Sequence, residues 1–300
     1  FDIADGSVKG SGYFGAGDNR LSLSGDATYA GFAGFGAGSD TLALAGTSVF
    51  SGTADFGSGG DTLTIAGSSR FSGKLLNAQG LAVSVDGGTF DVSGATAISS
   101  LAVTNKGALA VLLDKSADGT ALNVSGNASF GAESRLILKI KDIESAEGSH
   151  VVLTAGTLTG ANNLVASSTL LPFLYKGTLS STANQVLVNV TRKSTADLGL
   201  NRSEASAFNA VIDAVSADQK VEDVFLGITD GERFRNQLGQ MLPEHEGGVF
   251  ETVTSGSRAL ARYLQDPNAP YQDQGKWRYW VNQAVWGTAK GVGDTAGRVG

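Results

Sequence analysis

Apolar residues recur at a fixed offset along the first quarter of the chain. Leu21, Leu42 and Leu63 lie 21 residues apart, and so do Phe14, Phe35 and Phe56. The same offset links Tyr29, Phe50 and Phe71, and it links Gly25, Gly46 and Gly67. Gly15, Gly36 and Gly57 keep the phase, as do Gly31, Gly52 and Gly73. A fixed period of this size marks a solenoid, whose copies bury their apolar faces against one another. Within a copy, apolar residues alternate with small ones, as in Leu42-Ala43-Leu44. Period-two alternation predicts half-buried strands. A second strand carries Phe50 and a third ends at Phe56. The glycines fall between strands, where the chain needs positive φ or close backbone approach. The pattern predicts a mainly β fold, a right-handed parallel β-helix with three short strands per coil. Equivalent residues then stack about 4.8 Å apart. Leu21/Leu42/Leu63 and Leu23/Leu44/Ile65 become inward aliphatic ladders, and Phe14/Phe35/Phe56 an aromatic one.

Beyond residue 75 the period loosens while the alternation persists. It is seen at Leu81, Val83 and Val85, at Leu109, Val111 and Leu113, at Leu136, Leu138 and Ile140, and at Val186, Val188 and Val190. A stack running to residue 192 is expected to hold roughly nine turns at this rise. A solenoid end exposes strand edges that must be covered. The most hydrophobic run of this half, Leu170-Leu171-Pro172-Phe173-Leu174-Tyr175, is the expected C-terminal cap.

After Thr191 the apolar spacing changes from two to 3.6. Phe208, Val211, Ile212 and Val215 form one stripe, Val221, Val224, Phe225 and Ile228 a second, and Phe234, Leu238 and Met241 a third. These spacings predict short amphipathic helices, the first capped by Asn201 or Ser203. A longer helix is expected over about 248–265, with Phe250, Val253, Leu260 and Leu264 on one stripe and Glu251, Arg258 and Arg262 on another. All three tryptophans, Trp277, Trp280 and Trp286, then fall in one stretch. The run from Lys276 to Trp286 has the ~9–11 residues of a tilted membrane β-strand. Tryptophans near both ends suit the aromatic girdles of an outer-membrane barrel. One strand cannot close a barrel, because edges in lipid must be paired.

Composition agrees with the solenoid. Gly is 42 of 300 residues, about twice the usual ~7%. Charged residues are 17%, below the usual ~25%, and small Ser, Thr, Gly and Ala fit tight, stacked corners. With 41% hydrophobic residues the chain is not disordered. The lack of Cys excludes a disulfide scaffold and a Cys-ligated metal. The net charge of −7 argues against nucleic acid as a partner, since phosphate binding needs a basic surface.

Catalytic signals are weak. The chain has no Gly-x-Ser-x-Gly elbow and no Walker-type phosphate loop. His150, without an acidic neighbour in sequence, reads as a surface or turn histidine. His245, in Glu244-His245-Glu246, reads as part of a solvated loop. A carbohydrate-active β-helix needs a groove of several acids with a base. Lys9, Arg20, Arg70 and Lys74, the bases of residues 1–100, show no clustering in sequence. The sharpest polar feature is Phe-Gly-x-Gly-x-Asp-x-Leu, at Phe35–Leu42 and Phe56–Leu63. It looks like a calcium-binding nonapeptide repeat with its first Gly replaced by Phe. Stacked Asp40 and Asp61 would repel, and a hard cation would relieve that. Against this, the period is 21, the preceding copy has Asn19, and the replaced Gly is an inward aromatic. Asp40 and Asp61 are therefore the calcium candidates, and a solvated turn aspartate is the stronger expectation. No catalytic residue, no cofactor and no enzymatic activity is expected.

The order β-helix, short helices, long helix and Trp-rich strand resembles a type Va autotransporter of the type V secretion pathway. Val152–Gly160 resembles the junction strand of that family. Leu198-Gly199-Leu200-Asn201 with Glu204-Ala205 and Phe208 resembles the exit from passenger to helices. Leu238–Pro243, Gly247–Glu251 and Ser257–Ala259 resemble the pre-barrel helices, and Trp280–Gly287 the first barrel strand. The resemblance implies a passenger β-helix over 1–99 and a β-helix cap or autochaperone region over 100–192. It further implies short amphipathic helices over 193–247, a pre-barrel helix and linker over 248–270, and the start of an outer-membrane barrel over 271–300. Glu251, Arg258 and Arg262 would meet the polar wall of the barrel lumen, and Trp277, Trp280 and Trp286 the membrane interface. The implied location is the bacterial cell surface and outer membrane, with the passenger in some cases released. The implied role is a displayed stalk whose C-terminal coils drive folding and export. Its partners would be the outer membrane and the barrel-assembly machinery. The alternative is a direct adhesin for host or abiotic surfaces.

Overall fold

The computed structural model describes residues 1–94, 96–113, 121–164 and 171–242, together with the backbone of 288–289 and 298–299. The chain divides into two compact units, Phe1–Ser194 with Ala214–Phe234, and Thr195–Asp213 with Arg235–Gly300.

The first unit is a parallel β-solenoid. Its coils are built from Asp2–Ile3 (β1) and Ser7–Gly15 (β2), Arg20–Leu23 (β3) and Thr28–Phe35 (β4), then Thr41–Leu44 (β5) and Val49–Asp55 (β6). Thr62–Ala66 (β7) and Arg70–Leu76 (β8) follow, then Ala82–Asp86 (β9) and Thr89–Val92 (β10). Later coils carry Thr96–Ile98 (β11), Ser100–Thr104 (β12), Ala108–Leu113 (β13), Leu122–Phe130 (β14), Arg135–Ile140 (β15) and Gly148–Thr159 (β16). One sheet stacks β1, β3, β5, β7, β9, β12, β14 and β16 in parallel, and a second stacks β2, β4, β6, β8, β10, β13 and β15. The second and third short strands expected in each copy run together as one hydrogen-bonded strand with a bend. The bend is at Gly52 in β6, where φ is +143° and an added Cβ would lie 1.9 Å from the Gly31 carbonyl oxygen.

Register explains the repeat. Leu21 pairs with Leu42 and Leu42 with Leu63, in phase with Tyr29, Phe50 and Phe71 on the other sheet. The roughly nine turns expected are not reached. Five steps between coils are regular, from β1 through β12, and two larger ones follow, Leu101 to Ala128 and Ala128 to Leu158. The parallel stack then stops. Gln185–Arg192 (β18) pairs antiparallel with β16, and Tyr175–Ser181 (β17) pairs antiparallel with β18. The last alternating segment, with Val186, Val188 and Val190 buried, is thus a hairpin arm rather than another coil.

Three helices come next, Arg202–Ser216 (α1), Gln219–Leu226 (α2) and Gly231–Met241 (α3). Phe208, Val211, Ile212, Val215, Phe225, Ile228, Phe234 and Leu238 are buried as their spacing predicts, whereas Val224 and Met241 are exposed. In the second unit, Asn201 caps α1. Its Oδ1 accepts from the Glu204 backbone N–H (2.9 Å), while the Glu204 carboxylate accepts from the Asn201 N–H (2.9 Å). This reciprocal pair is a capping box. Near the chain end Thr288–Ala289 (β19) pairs antiparallel with Arg298–Val299 (β20). The longer helix, Glu251, Arg258, Arg262, His245, Trp277, Trp280 and Trp286 lie outside the described residues.

Candidate functional site

The interior of the solenoid is a set of ladders. Leu21, Leu42 and Leu63 are fully buried, and Leu23, Leu44 and Ile65 nearly so. Burying each such side chain is worth about 1.5–3 kcal/mol. Phe35 stacks on Phe14 at 5.0 Å and on Phe56 at 5.2 Å between ring centroids. Phe50 stacks on Tyr29 and on Phe71, both at 5.2 Å with nearly parallel rings. Phe90 extends that column with a tilt. The Tyr29 hydroxyl donates to the Phe32 carbonyl at 2.8 Å, so the ring enters the column without an unpaired proton.

Asp40 and Asp61 are placed differently from the expectation. Both are buried, at 1% and 2% exposure, and neither is a solvated turn residue. The reason is parity. Each lies two residues before an inward leucine, Leu42 or Leu63, so its side chain shares the inward face. Asp40 Oδ1 accepts from the Asn19 backbone N–H at 2.8 Å, and Asp61 Oδ1 from that of Asp40 at 2.9 Å. The second oxygen of each carboxylate has no hydrogen-bond partner. Burial raises the Asp61 pKa, the Asp40 N–H opposes this, and the Asp40 charge adds to it. Among the described residues no group of three or more His, Cys, Asp or Glu side chains is placed to hold a metal.

A second polar cluster was not legible in sequence. Asp91 on β10 is 1% exposed and holds Arg70 of β8 through one oxygen and Lys139 of β15 through the other. Ser72 Oγ donates to it at 3.1 Å. Arg70 lies one 21-residue repeat before Asp91, whereas Lys139 lies 48 residues from it, outside the repeat. The cluster bridges β8, β10, β13 and β15 at the point where regular coils give way to larger ones. Its single carboxylate is saturated by donors, which suits a clamp. Paired acid–base chemistry of the glycosidase kind uses two carboxylates.

A third cluster closes the C-terminal end of the stack. Glu222 in the first turn of α2 is 3% exposed, and its Oε1 accepts from the Ile143 backbone N–H at 2.6 Å. The Tyr175 hydroxyl donates to the Ile143 carbonyl at 3.2 Å. Burial, the largest cause, keeps that hydroxyl protonated well beyond the ordinary tyrosine range. The Ile143 residue is thus gripped at both backbone polar groups. The Phe173 N–H donates to the Ile228 carbonyl at 2.6 Å, and the Phe173 and Phe225 rings both pack on buried Phe234. Lys193 lies 3.9 Å over the Phe173 ring. Of the hydrophobic run, Leu171 through Tyr175 contribute here, and Leu170 lies outside the described residues.

Among the described residues, two exposed aromatics share the first coil. Tyr13 is 78% exposed and Phe1 66%, and both line a cavity of about 260 Å³ on the first coil with Val8, Lys9, Phe14 and Tyr29. His150 sits half-buried on β16, where its Nε2 meets the Ala146 carbonyl at 2.9 Å.

The fold and its clusters define a class, a parallel β-solenoid with a hairpin and helices after its last coil. No protein-family model matches the chain, and no curated protein or solved structure matches it either.

Proposed function

We propose that the chain is a structural and secretion module of the autotransporter kind, a β-helical passenger stalk whose C-terminal coils promote folding and export. The observation that supports this most is the finished C-terminal end of the stack. The ladder reverses direction through β18 and β17, and Glu222, Tyr175 and Phe234 pack that end with buried polar and aromatic contacts. Folding of a repeat stack nucleates locally and propagates to neighbouring coils, and a well-packed end offers one such starting point. Coils that fold first outside the cell would template the rest and oppose backsliding.

The test joins the chain to a complete type V barrel in a Gram-negative host. Protease access on intact cells measures display. Display of the full chain and a several-fold loss on deleting 100–192, at equal barrel levels, is the expected result. Equal display without 100–192 would refute the role. A second reading, a direct adhesin, is favoured by exposed Tyr13, whose ring packs on Phe32 with centroids 5.4 Å apart. Exposed aromatic patches of this kind mark contact surfaces. Tyr13→Ser should then weaken attachment of displaying cells to an abiotic surface, and leave it unchanged for a plain stalk.

A further inference from the structure

The Asp40–Asp61 pair has a counterpart in the first copy that suggests its protonation state. Asn19 occupies the same ladder position one coil earlier, and its amide Nδ2 donates to the Gly17 carbonyl at 2.6 Å. By the 21-residue offset Gly38 and Gly59 are the equivalents of Gly17 in the copies that carry Asp40 and Asp61. An ionised carboxylate is acceptor-only. It cannot reproduce the bond that the Asn19 amide makes. A carboxylic acid can, because its O–H is a donor. One coil later the ladder position is taken by Leu81, fully buried and uncharged. The position therefore reads amide, acid, acid, aliphatic, and the interior it faces is apolar.

Among the described residues no base is paired with either carboxylate. Asp18 and Arg20 of the preceding coil are exposed, Asp18 accepting from the Ser39 N–H and Arg20 donating to Ser22 Oγ. The following coil brings Leu81 and Ala82. Burying an isolated charge is costly enough that the group neutralises instead. Two carboxylates on successive coils repel when both are ionised.

We propose that Asp61, buried beside Asp40, is a proton-linked latch in the solenoid, held as the neutral acid in the folded chain, so that the central coils tighten as pH falls. The sign follows from the direction of the Asp61 shift, which is upward on folding. Its stabilisation is complete below the unfolded carboxylate range, near pH 4. It is lost as pH rises through the higher folded value.

The test is a set of thermal melts of the full chain and of Asp61→Asn, from about pH 4 to about pH 8. Asn copies the neutral acid and has a precedent at residue 19. Asp61→Asn should melt about 2–4 °C above the parent at neutral pH, and the gap should close toward pH 4. Selective ¹³Cγ labelling of the aspartates gives a second readout on the unaltered chain. The Asp61 carboxyl should titrate above the ordinary range. A pH-independent gap, a variant less stable at neutral pH, or ordinary titration of the Asp61 carboxyl would overturn the latch. Stabilisation of the parent by millimolar Ca²⁺, absent in Asp61→Asn, would also overturn it and give the pair to a metal.

Discussion

Replacing Glu222 tests whether helix α2 is part of the solenoid's closure. The Glu222 carboxylate is 3% exposed and accepts from the Ile143 N–H at 2.6 Å. Glu222→Ala removes the acceptor and leaves a buried N–H without a partner. That penalty is about 1–3 kcal/mol, and the lost bond is of the stronger, charged kind. The Tyr175 grip on the Ile143 carbonyl persists but cannot satisfy the N–H. The expected cost is about 2–3 kcal/mol against a typical stability of ~5–15 kcal/mol. Glu222→Gln keeps an acceptor oxygen at similar reach and loses only the charge assistance, so it should cost about 1 kcal/mol. The assay is urea unfolding of the full chain followed by circular dichroism, with amide hydrogen exchange read at Ile143. The alanine variant should lose protection at that amide by at least tenfold, a loss of about 1.4 kcal/mol in local opening. Equal costs for Ala and Gln, or unchanged protection at Ile143, would refute the reasoning and make the contact incidental.

Phe50→Ala should destabilise by at least about 4 kcal/mol, from the cavity term and two lost ring stacks, whereas half-exposed Phe14→Ala should cost far less in the same denaturant melt. Gly52→Ala should lower the melting temperature sharply, since its Cβ would lie 1.9 Å from a backbone oxygen at φ +143°, in a region reserved for glycine. Gly60→Ala meets nothing within 4 Å and should be neutral or stabilising by about 0.4–1 kcal/mol. The double variant Arg70→Ala with Lys139→Ala should cost about 3–5 kcal/mol, because it strands a buried carboxylate. Asp91→Ala should cost less, because the Arg70 and Lys139 side chains, 50% and 39% exposed, return to water. Equal losses from the two ends of that cluster would sink the clamp.

The repeat was legible because stacking makes distant residues repeat at a constant offset. Leu21, Leu42 and Leu63 announce the coil by themselves, and the same offset gives the parallel register. The helices were legible for the related reason that a 3.6 spacing survives without tertiary information, and the Asn201–Glu204 cap is local. The count of turns was not legible. Alternation at Val186, Val188 and Val190 is the same whether a strand runs parallel in a coil or antiparallel in a hairpin. Nor could Asp91 be paired with Lys139, since the enlarged coils carry no period that would align them.

The misplaced aspartates show where pattern reading goes wrong in a solenoid. Asp in a Gly-rich segment reads as a turn residue, because polar residues at turns are usually solvated. Parity carries the opposite message. Asp40 and Asp61 are two residues before leucines that must point inward, and strand alternation continues across the short corner. Where chemical type and parity disagree, the stack decides, because a one-residue slip that turned the aspartate outward would shift every inward side chain of the strand that follows it. A shift of that kind exposes several leucines at about 1.5–3 kcal/mol each. Holding a carboxyl neutral costs about 1.4 kcal/mol for each pH unit above its ordinary value. The cheaper outcome is a buried acid. A polar residue on an inward rung of such a repeat is therefore better read as a titratable part of the core than as a surface ligand.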